Sequence, residues 1–299
     1  MKIKYIDKKF SKSSKQIIET ANAILDEYDQ QGYDLTLRQL YYQFVARDLI
    51  PNTQKSYKRL GNIINDARLA GKISWYSIVD RTRTLRGLTH NESPSEAIDE
   101  ALKDYQIDMW SDQRYHVEVW VEKDALIGVI EKACTEYDVN FFSCRGYSSQ
   151  SEMWRAARRL QVYYSENKIP VILHLSDHDP SGMDMARDIQ DRLRLFGTRL
   201  DYKRLALTMD QVEEYTPPPN PAKLSDTRAN GYIIEFGNES WELDRLEPAV
   251  IKDLIQENII KYIDWDLWES RQEEMDDNRE ALRKIVDNWE DVFDYTKGL

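Results

Sequence analysis

The chain has 299 residues, 41% of them hydrophobic, which is enough for one large domain or two ordinary ones, each with its own core. No apolar run approaches the roughly 18 residues that span a bilayer, so we expect no membrane span. Cys134 and Cys144 lack CxxC spacing, so we expect neither structural zinc nor a disulfide framework. The net charge is −12, yet residues 1–90 hold 16 of the 41 Lys and Arg and only 9 of the 53 Asp and Glu, so a basic module that can bind phosphates precedes an acidic remainder.

Three amphipathic helices are predicted in the basic region from the spacing of its apolar residues. The first begins at Ser13 or Ser14 and ends near residue 31. The second begins at Thr36, where a T-x-x-Q run forms a capping box, and covers about 36–48. The third covers about 53–69 and is basic. Helices of this length and order are typical of a small DNA-binding module.

The third helix carries Lys55, Lys58 and Arg59, which are candidate DNA contacts. A β-prone segment, Ile73–Val79, follows it and leads into Arg81, Arg83 and Arg86. Three helices with a basic third member, then a strand with trailing arginines, match the outline of a winged helix-turn-helix. We therefore predict a winged-helix DNA-binding domain over residues 1–90.

Residues 91–113 form a predicted connector with one amphipathic helix, after which strands alternate with helices. The predicted strands are His116–Val121, Val139–Ser143 and Val171–Ser176, and the helices between and after them are Asp124–Tyr137, Ser149–Ser165 and Ser181–Phe196. Residues 204–208 are a further candidate strand. This alternation predicts a parallel sheet with helices on both faces over residues 114–215.

Residues 216–299 are predicted to be a largely helical extension. The PPPNP run at 217–221 marks an exposed irregular segment, and Tyr232–Phe236 has the composition of a strand. Pro248–Tyr262 is predicted as a helix. From about Asp266 onward we expect one long charged helix that packs through six apolar residues: Trp268, Met275, Leu282, Ile285, Val286 and Trp289.

Three carboxylates directly follow predicted strands. Glu122 comes after the first strand, and Asp177 and Asp179 come after the third. Because the carboxyl ends of parallel strands form the ligand crevice of an open α/β sheet, these side chains are candidates for a Mg²⁺ site, with Mn²⁺ as an alternative metal. An aspartate at such a turn is also a common helix cap. Glu118 lies in the middle of its strand and is interpreted as salt-bridged or edge-exposed.

Four segments carry a resemblance to a known family. VEVWVEKDAL, CRGYSS and LHLSDHDPSG resemble the toprim domain shared by topoisomerases, primases and some nucleases. Upstream, TLRQLYY resembles the tyrosine motif of the topoisomerase VI A subunit and its meiotic double-strand-break relatives. The resemblance covers roughly residues 14–200, in the family's domain order, and the length is closest to the stand-alone mini-A relatives of viruses and plasmids. The SWELDRLEP segment resembles toprim-bearing bacterial and phage proteins only loosely.

The resemblance assigns roles to individual residues. It implies that Tyr42 attacks a DNA phosphate and forms a 5′-phosphotyrosyl link, with Arg38 as the motif arginine. Glu122 would be the toprim glutamate and the acid for the leaving 3′ oxygen, while Asp177 and Asp179 would bind Mg²⁺. A tyrosine, with a pKa of about 10, is a weak nucleophile that needs a nearby cation. Arg38, four residues earlier on the same helix, can face the same side.

Three other positions lie at the predicted strand ends. Arg145 lies on a loop that either approaches DNA phosphate or only forms the turn, and Lys123 is a further candidate DNA contact. His178 fills the variable position of D-x-D, where relatives often have Gly, and would either crowd the site or add a phosphate contact.

The resemblance also implies partners and a cellular setting. Cutting both strands of double-stranded DNA implies a homodimer, and in the family the tyrosine of one subunit works beside the metal of the other. The chain has no G-x-x-x-x-G-K-[ST] loop, so we expect no ATP site and either an ATPase partner subunit or ATP-independent action. We expect a cytoplasmic, nucleoid-associated protein of prokaryotic or viral origin, without a membrane partner.

Two alternatives stay open at this point. One is a toprim-type nuclease in which a metal activates water and Tyr42 is structural. The other is a DNA-binding protein without catalysis, although such a protein would have no reason to keep Glu122, Asp177 and Asp179 together.

Overall fold

The computed structural model describes residues 1–79, 90–144, 147–222 and 229–298. Its N-terminal part contains the three predicted helices, α1 (Lys12–Gln30), α2 (Leu37–Ala46) and α3 (Gln54–Leu69). The capping box at the start of α2 is present, with reciprocal hydrogen bonds between Thr36 and Gln39. The apolar faces of the three helices enclose a core of their own.

The predicted strand Ile73–Val79 is wrong. This segment forms bends and a single bridge between Leu35 and Ile78. Ile73 and Ile78 are buried in the helical core, and the Arg68 guanidinium donates to the carbonyls of Trp75 at 2.8 Å and Ile78 at 3.4 Å. A side chain thus satisfies carbonyls that a strand partner would otherwise bind. Arg81, Arg83 and Arg86 lie outside the described residues.

The connector contains the expected helix, α4 (Pro94–Asp104), and the predicted parallel sheet follows it. Its four strands are β1 (Tyr115–Val121), β2 (Asn140–Ser143), β3 (Ile169–Leu175) and β4 (Asp201–Ala206). Their order is β2-β1-β3-β4, and all pairings are parallel. The helices of this region are α5 (Ile127–Thr135), α6 (Gln150–Ser165), α7 (Pro180–Leu195) and α8 (Met209–Tyr215).

Side chains of the central strands alternate between the two faces of the sheet, as the period of a strand requires. Val119 and Leu173 point into a core formed with α5 and the C-terminal helices. Trp120 and Ile172 point into a second core formed with α6 and α7. Both faces of the sheet are therefore covered, which explains why all but the first residue of β1 and of β3 are buried.

The C-terminal region departs from its prediction in three places. The PPPNP run, expected to be exposed and irregular, is partly buried, and its last two residues form a short strand. After β5 (Asn220–Pro221), the segment expected to be strand-like forms the helix α9 (Ala229–Phe236). A short strand, β6 (Glu239–Ser240), then pairs with β5 in antiparallel fashion. Tyr232 and Phe236 lie one helical turn apart, and both contact the His178 ring. The aromatic residues that suggested a strand therefore lie on one face of a helix.

The predicted helix at 248–262 is present as α10 (Pro248–Ile259) with a following 3-10 turn. The prediction of a single long C-terminal helix is wrong, because α11 (Trp265–Asp287) is capped by Asn288 and a second helix, α12 (Trp289–Lys297), follows. Of the six apolar residues expected to pack, Trp268 and Met275 are buried. The other four are partly or well exposed: Leu282, Ile285, Val286 and Trp289. No helix within the described ranges is long and apolar enough to cross a membrane.

Candidate active site

The register of the sheet brings Glu122 and Asp177 together. Val121 pairs with Leu175 at the carboxyl ends of β1 and β3, so the residues that follow emerge at the same edge. The Asp177 amide donates to Glu122 Oε2 at 3.0 Å. Burial raises the pKa of Glu122, while this amide and Lys123 act in the opposite direction.

Asp179 lies in the same turn and caps α7. Its Oδ1 accepts a hydrogen bond from the Gly182 amide at 2.6 Å. Gly182 is required here because a Cβ at this position would lie 2.3 Å from the Asp177 carbonyl oxygen. The helix cap therefore uses only one of the two carboxylate oxygens of Asp179.

Asp177 is buried, and both of its carboxylate oxygens are bound. Oδ1 accepts from the Leu243 amide at 2.8 Å, and Oδ2 pairs with Lys123 Nζ at 2.9 Å. Burial raises the pKa of Asp177 to about 7, against the opposing effect of the Lys123 ammonium. Asp177 is thus held between β3 and the C-terminal region.

Lys123 is the centre of the site. Its Nζ also contacts Asp244 Oδ1 at 3.0 Å and Glu242 Oε2 at 3.2 Å. Burial disfavours the ammonium, but Asp177, Asp244 and Glu242 together outweigh this effect and raise the pKa of Lys123 above its usual value. The sequence predicts Lys123 as a DNA contact, whereas in the structure it binds three carboxylates.

Glu242 and Asp244 belong to SWELDRLEP, a segment without an assigned role in the sequence. Trp241 pairs with His178 in an antiparallel bridge, with both N–H···O bonds at 2.8–2.9 Å. This bridge fixes the segment beside the turn that carries Asp177. The next residues, Leu243–Arg245, form a 3-10 turn that packs against α2.

Tyr42 enters the site from α2. Its hydroxyl donates to Glu242 Oε2 at 2.6 Å and accepts from Arg38 Nη2 at 2.9 Å. Arg38 also pairs with Glu242 at 3.2 Å and with Asp244 at 3.4 Å. As expected for residues four apart on a helix, Arg38 and Tyr42 face the same side.

The phenol of Tyr42 is protonated in this arrangement. Its side chain is only 7% exposed. Burial raises its pKa well above the usual range, Asp244 and Glu242 raise it further, and Arg38 opposes them. The arginine is in the place that the motif predicts, but here its charge is directed to the two carboxylates as much as to the phenol.

The N-terminal helices are attached to the C-terminal region by further bonds. Tyr28 donates to Glu247 Oε2, and Gln43 donates to Glu247 Oε1 at 3.5 Å. Asn52 donates to Asn220 at 2.6 Å. These contacts place Tyr42 beside the carboxylates of its own chain, in contrast to the arrangement across subunits that the resemblance implies.

A cavity of about 350 Å³ opens next to Tyr42. Its lining includes Arg38, Glu242 and two residues of the first turn of α3, Gln54 and Tyr57. The candidate DNA contacts of α3 are exposed on the same helix: Lys55, Lys58 and Arg59. Arg145 lies outside the described residues.

The His178 side chain is buried and makes its contacts with other side chains of the protein. Its Nδ1 lies 2.8 Å from the Tyr232 hydroxyl, and its ring packs edge-on against Phe236 and Trp241. Burial lowers the pKa of His178 to about 4, so the ring is neutral at physiological pH. In place of the expected crowding or phosphate contact, this side chain attaches the D-x-D turn to α9 and to the SWELDRLEP segment.

The carboxylates predicted to bind Mg²⁺ differ in whether their oxygens already have hydrogen-bond partners. In the described part of the chain, no three acidic, histidine or cysteine side chains are arranged to hold a metal ion. Among these same residues, Glu122 Oε1 and Asp179 Oδ2 have no hydrogen-bond partner. Mg²⁺ often takes one or two carboxylates with phosphate and water, so these two oxygens fit its chemistry. Asp177 does not fit as a third ligand while Lys123 and Leu243 bind its oxygens.

A search with protein-family models and a search of curated proteins found no match to this chain. The resemblance to the topoisomerase VI A subunit therefore stays a prediction.

Proposed function

We propose that this protein cleaves and rejoins double-stranded DNA through a phosphotyrosyl intermediate at Tyr42, in the manner of the topoisomerase VI A subunit. One observation carries the proposal. The Tyr42 hydroxyl lies within hydrogen-bond distance of Arg38 and of a carboxylate that Lys123 binds. A candidate nucleophile and two cations thus converge at the end of the sheet, next to Glu122 and Asp177, from parts of the chain that are far apart.

The chemistry follows from these residue types. The Tyr42 oxygen attacks a DNA phosphorus atom, gives its proton to water and displaces the 3′ oxygen, which takes up a proton from Glu122. Arg38 and Lys123 can stabilise the charge that develops on the phosphate oxygens, because guanidinium and ammonium groups are strong donors to phosphate. Glu122 is the proposed acid for the 3′ oxygen, and its raised pKa suits that role. Reversal of the attack rejoins the strand.

A bound Mg²⁺ would be held by Asp179 and by the ionised form of Glu122, and by Asp177 if Lys123 moved away. It would offset negative charge on the phosphate. The exposed cations of α3, Lys55, Lys58 and Arg59, are proposed to bind neighbouring phosphates of the duplex.

Cleavage of both strands would require two copies of the site, so we propose a homodimer. Passage of one duplex through another would require an energy source outside this chain, such as an ATPase partner subunit. Cleavage and rejoining alone would not need one, because the tyrosyl ester conserves the energy of the broken bond.

The test is to incubate the protein with supercoiled plasmid and Mg²⁺ or Mn²⁺, stop the reaction with SDS, and analyse it with and without proteinase. Wild type is expected to give protein-linked nicked or linear DNA, or relaxed circles. Tyr42→Phe is expected to give none of these, and Tyr41→Phe serves as the matched control. Adducts that persist in Tyr42→Phe would refute the proposal.

A toprim-type nuclease is the second candidate, and the state of Tyr42 favours it. The hydroxyl is buried, protonated and hydrogen-bonded on both sides, as a structural tyrosine would be. In that case the same assay gives cut ends without attached protein. Cleavage then survives Tyr42→Phe and is lost in Asp179→Ala.

A further inference from the structure

The Glu242 carboxylate is surrounded by hydrogen-bond donors. Its Oε2 accepts from the Tyr42 hydroxyl at 2.6 Å and from Arg38 and Lys123, both at 3.2 Å. Its Oε1 accepts from Asn220 Nδ2 at 3.1 Å. Burial alone would raise the pKa of Glu242, but Lys123, Tyr42 and Arg38 lower it to about 2, so the group is an anion.

These donors form a site for one particular kind of anion. A phosphodiester carries a single negative charge on two non-bridging oxygens, as the carboxylate does. A guanidinium, an ammonium and an amide are donors that proteins direct at such oxygens. Exchange of one anion for the other would leave the charge of the site unchanged, and the Tyr42 hydroxyl already lies beside the anion.

We propose that the Glu242 carboxylate occupies the binding position of the scissile phosphodiester and that DNA binds by displacing it. This inference rests on the proposed function, because it identifies the anion with the phosphate that Tyr42 attacks. It assigns Arg38, Lys123 and Asn220 as the groups that bind that phosphate.

The donors are held by other residues and stay in place when Glu242 leaves. Asp244, whose side chain is fully buried, pairs with Lys123 at 3.0 Å and with Arg38 at 3.4 Å. Arg245 donates to Asn220 Oδ1 at 2.7 Å and thereby orients the amide toward the site. Removal of Glu242 therefore leaves a preformed set of donors.

Space for the exchange is present. The Glu242 side chain is 26% exposed, so it can turn toward solvent without unfolding its segment. The cavity of about 350 Å³ that opens on Tyr42 is bounded by Glu242 and by the first turn of α3. DNA that follows the exposed cations of α3 would reach the position of Glu242 through this opening.

A different role for Glu242 predicts the opposite result. If this carboxylate accepted the proton of Tyr42 during attack, its removal would abolish cleavage and would not strengthen DNA binding. If it occupies the phosphate position, its removal strengthens binding. One variant, Glu242→Gln, therefore separates the two roles.

The experiment measures binding in EDTA, where cleavage does not occur, by the fluorescence anisotropy of a labelled duplex. We expect Glu242→Gln to bind on the order of tenfold more tightly than Glu239→Gln, because an internal competitor has been removed. Glu239 is exposed and three residues away in the same segment, so its variant controls for the loss of one negative charge. Thermal unfolding verifies that both variants fold.

A second measurement uses Glu242→Ala and inorganic phosphate as the probe. Phosphate is expected to raise the melting temperature of Glu242→Ala more than that of wild type. Equal DNA affinities of Glu242→Gln and Glu239→Gln would overturn the inference, even if wild type forms tyrosyl adducts. Tighter binding by Glu242→Gln without adducts from any protein would support the phosphate site and count against the proposed cleavage.

Discussion

Replacement of Lys123 by methionine tests whether one partly buried cation stabilises the arrangement of the carboxylates. The ammonium lies 2.9 Å from Asp177, 3.0 Å from Asp244 and 3.2 Å from Glu242. At an effective dielectric constant of about 20, each contact is a gross attraction of about 5 kcal/mol, most of which offsets the cost of removing the charges from water. Methionine keeps the apolar stem but leaves Asp177 without its cation, because Arg38 reaches only Glu242 and Asp244.

Removal of one partner from a buried ion pair costs about 3–5 kcal/mol, so Lys123→Met should lower the free energy of unfolding by this amount at neutral pH. Urea denaturation followed by circular dichroism measures the loss. Lys284→Met, which removes an exposed lysine from α11, should cause no measurable change. Mg²⁺ should restore part of the stability of Lys123→Met, because the variant frees a carboxylate oxygen next to Glu122. A loss below about 1 kcal/mol would refute the view that Lys123 organises the carboxylates.

Two further predictions concern the other carboxylates. Asp179→Asn should keep the α7 cap and the stability of the fold but weaken Mg²⁺-dependent cleavage, whereas Asp179→Ala should also lower stability by about 1 kcal/mol; cleavage unchanged in Asp179→Asn would show that this side chain is only a cap. Glu118 is buried, and its Oε1 and Oε2 accept hydrogen bonds from Arg159 Nε at 2.8 Å and Nη2 at 2.9 Å. Burial opposes the negative charge of Glu118, but Arg159 and His116 lower its pKa from 4.5 to about 2. This carboxylate therefore stabilises the fold above pH 4.5, and its contribution disappears as the pH falls toward 2. Glu118→Gln should accordingly be less stable than wild type by roughly 2–3 kcal/mol at pH 7, with a difference that shrinks in acid; a difference that does not vary with pH would contradict this assignment.

The sequence predicts the helices and the parallel sheet because their apolar periods are strong and local. It also predicts that Glu122 and Asp177 lie together, since parallel strands bring their carboxyl ends to one edge. The two failures among the strands have a common cause. Ile73–Val79 and Tyr232–Phe236 have β-type composition, but what they pack against decides their structure. The Arg68 side chain binds carbonyls of the first segment, and the His178 ring, which is distant in sequence, packs against the second.

The main part of the site that the sequence does not predict is the SWELDRLEP segment, which supplies Glu242 and Asp244. A local signal exists, since Glu242 and Asp244 alternate with the buried Trp241 and Leu243, a pattern that would put both acids on one face of a strand, although residues 243–245 form a 3-10 turn. What the sequence alone does not contain is the pairing of that face with Lys123, which depends on the bridge between Trp241 and His178. For the same reason, His178 could be noticed in the sequence as unusual, but its structural role could not be predicted.

The most direct test of the account is to identify the residue that carries DNA after the reaction is trapped. The protein would be incubated with duplex DNA and Mg²⁺, stopped with SDS, digested with nuclease and protease, and analysed by tandem mass spectrometry. We predict a nucleotide mass on the phenol oxygen of Tyr42 and none on Tyr41. Cleaved DNA together with an unmodified Tyr42, or a nucleotide on any other residue, would contradict the assignment of Tyr42 as the nucleophile.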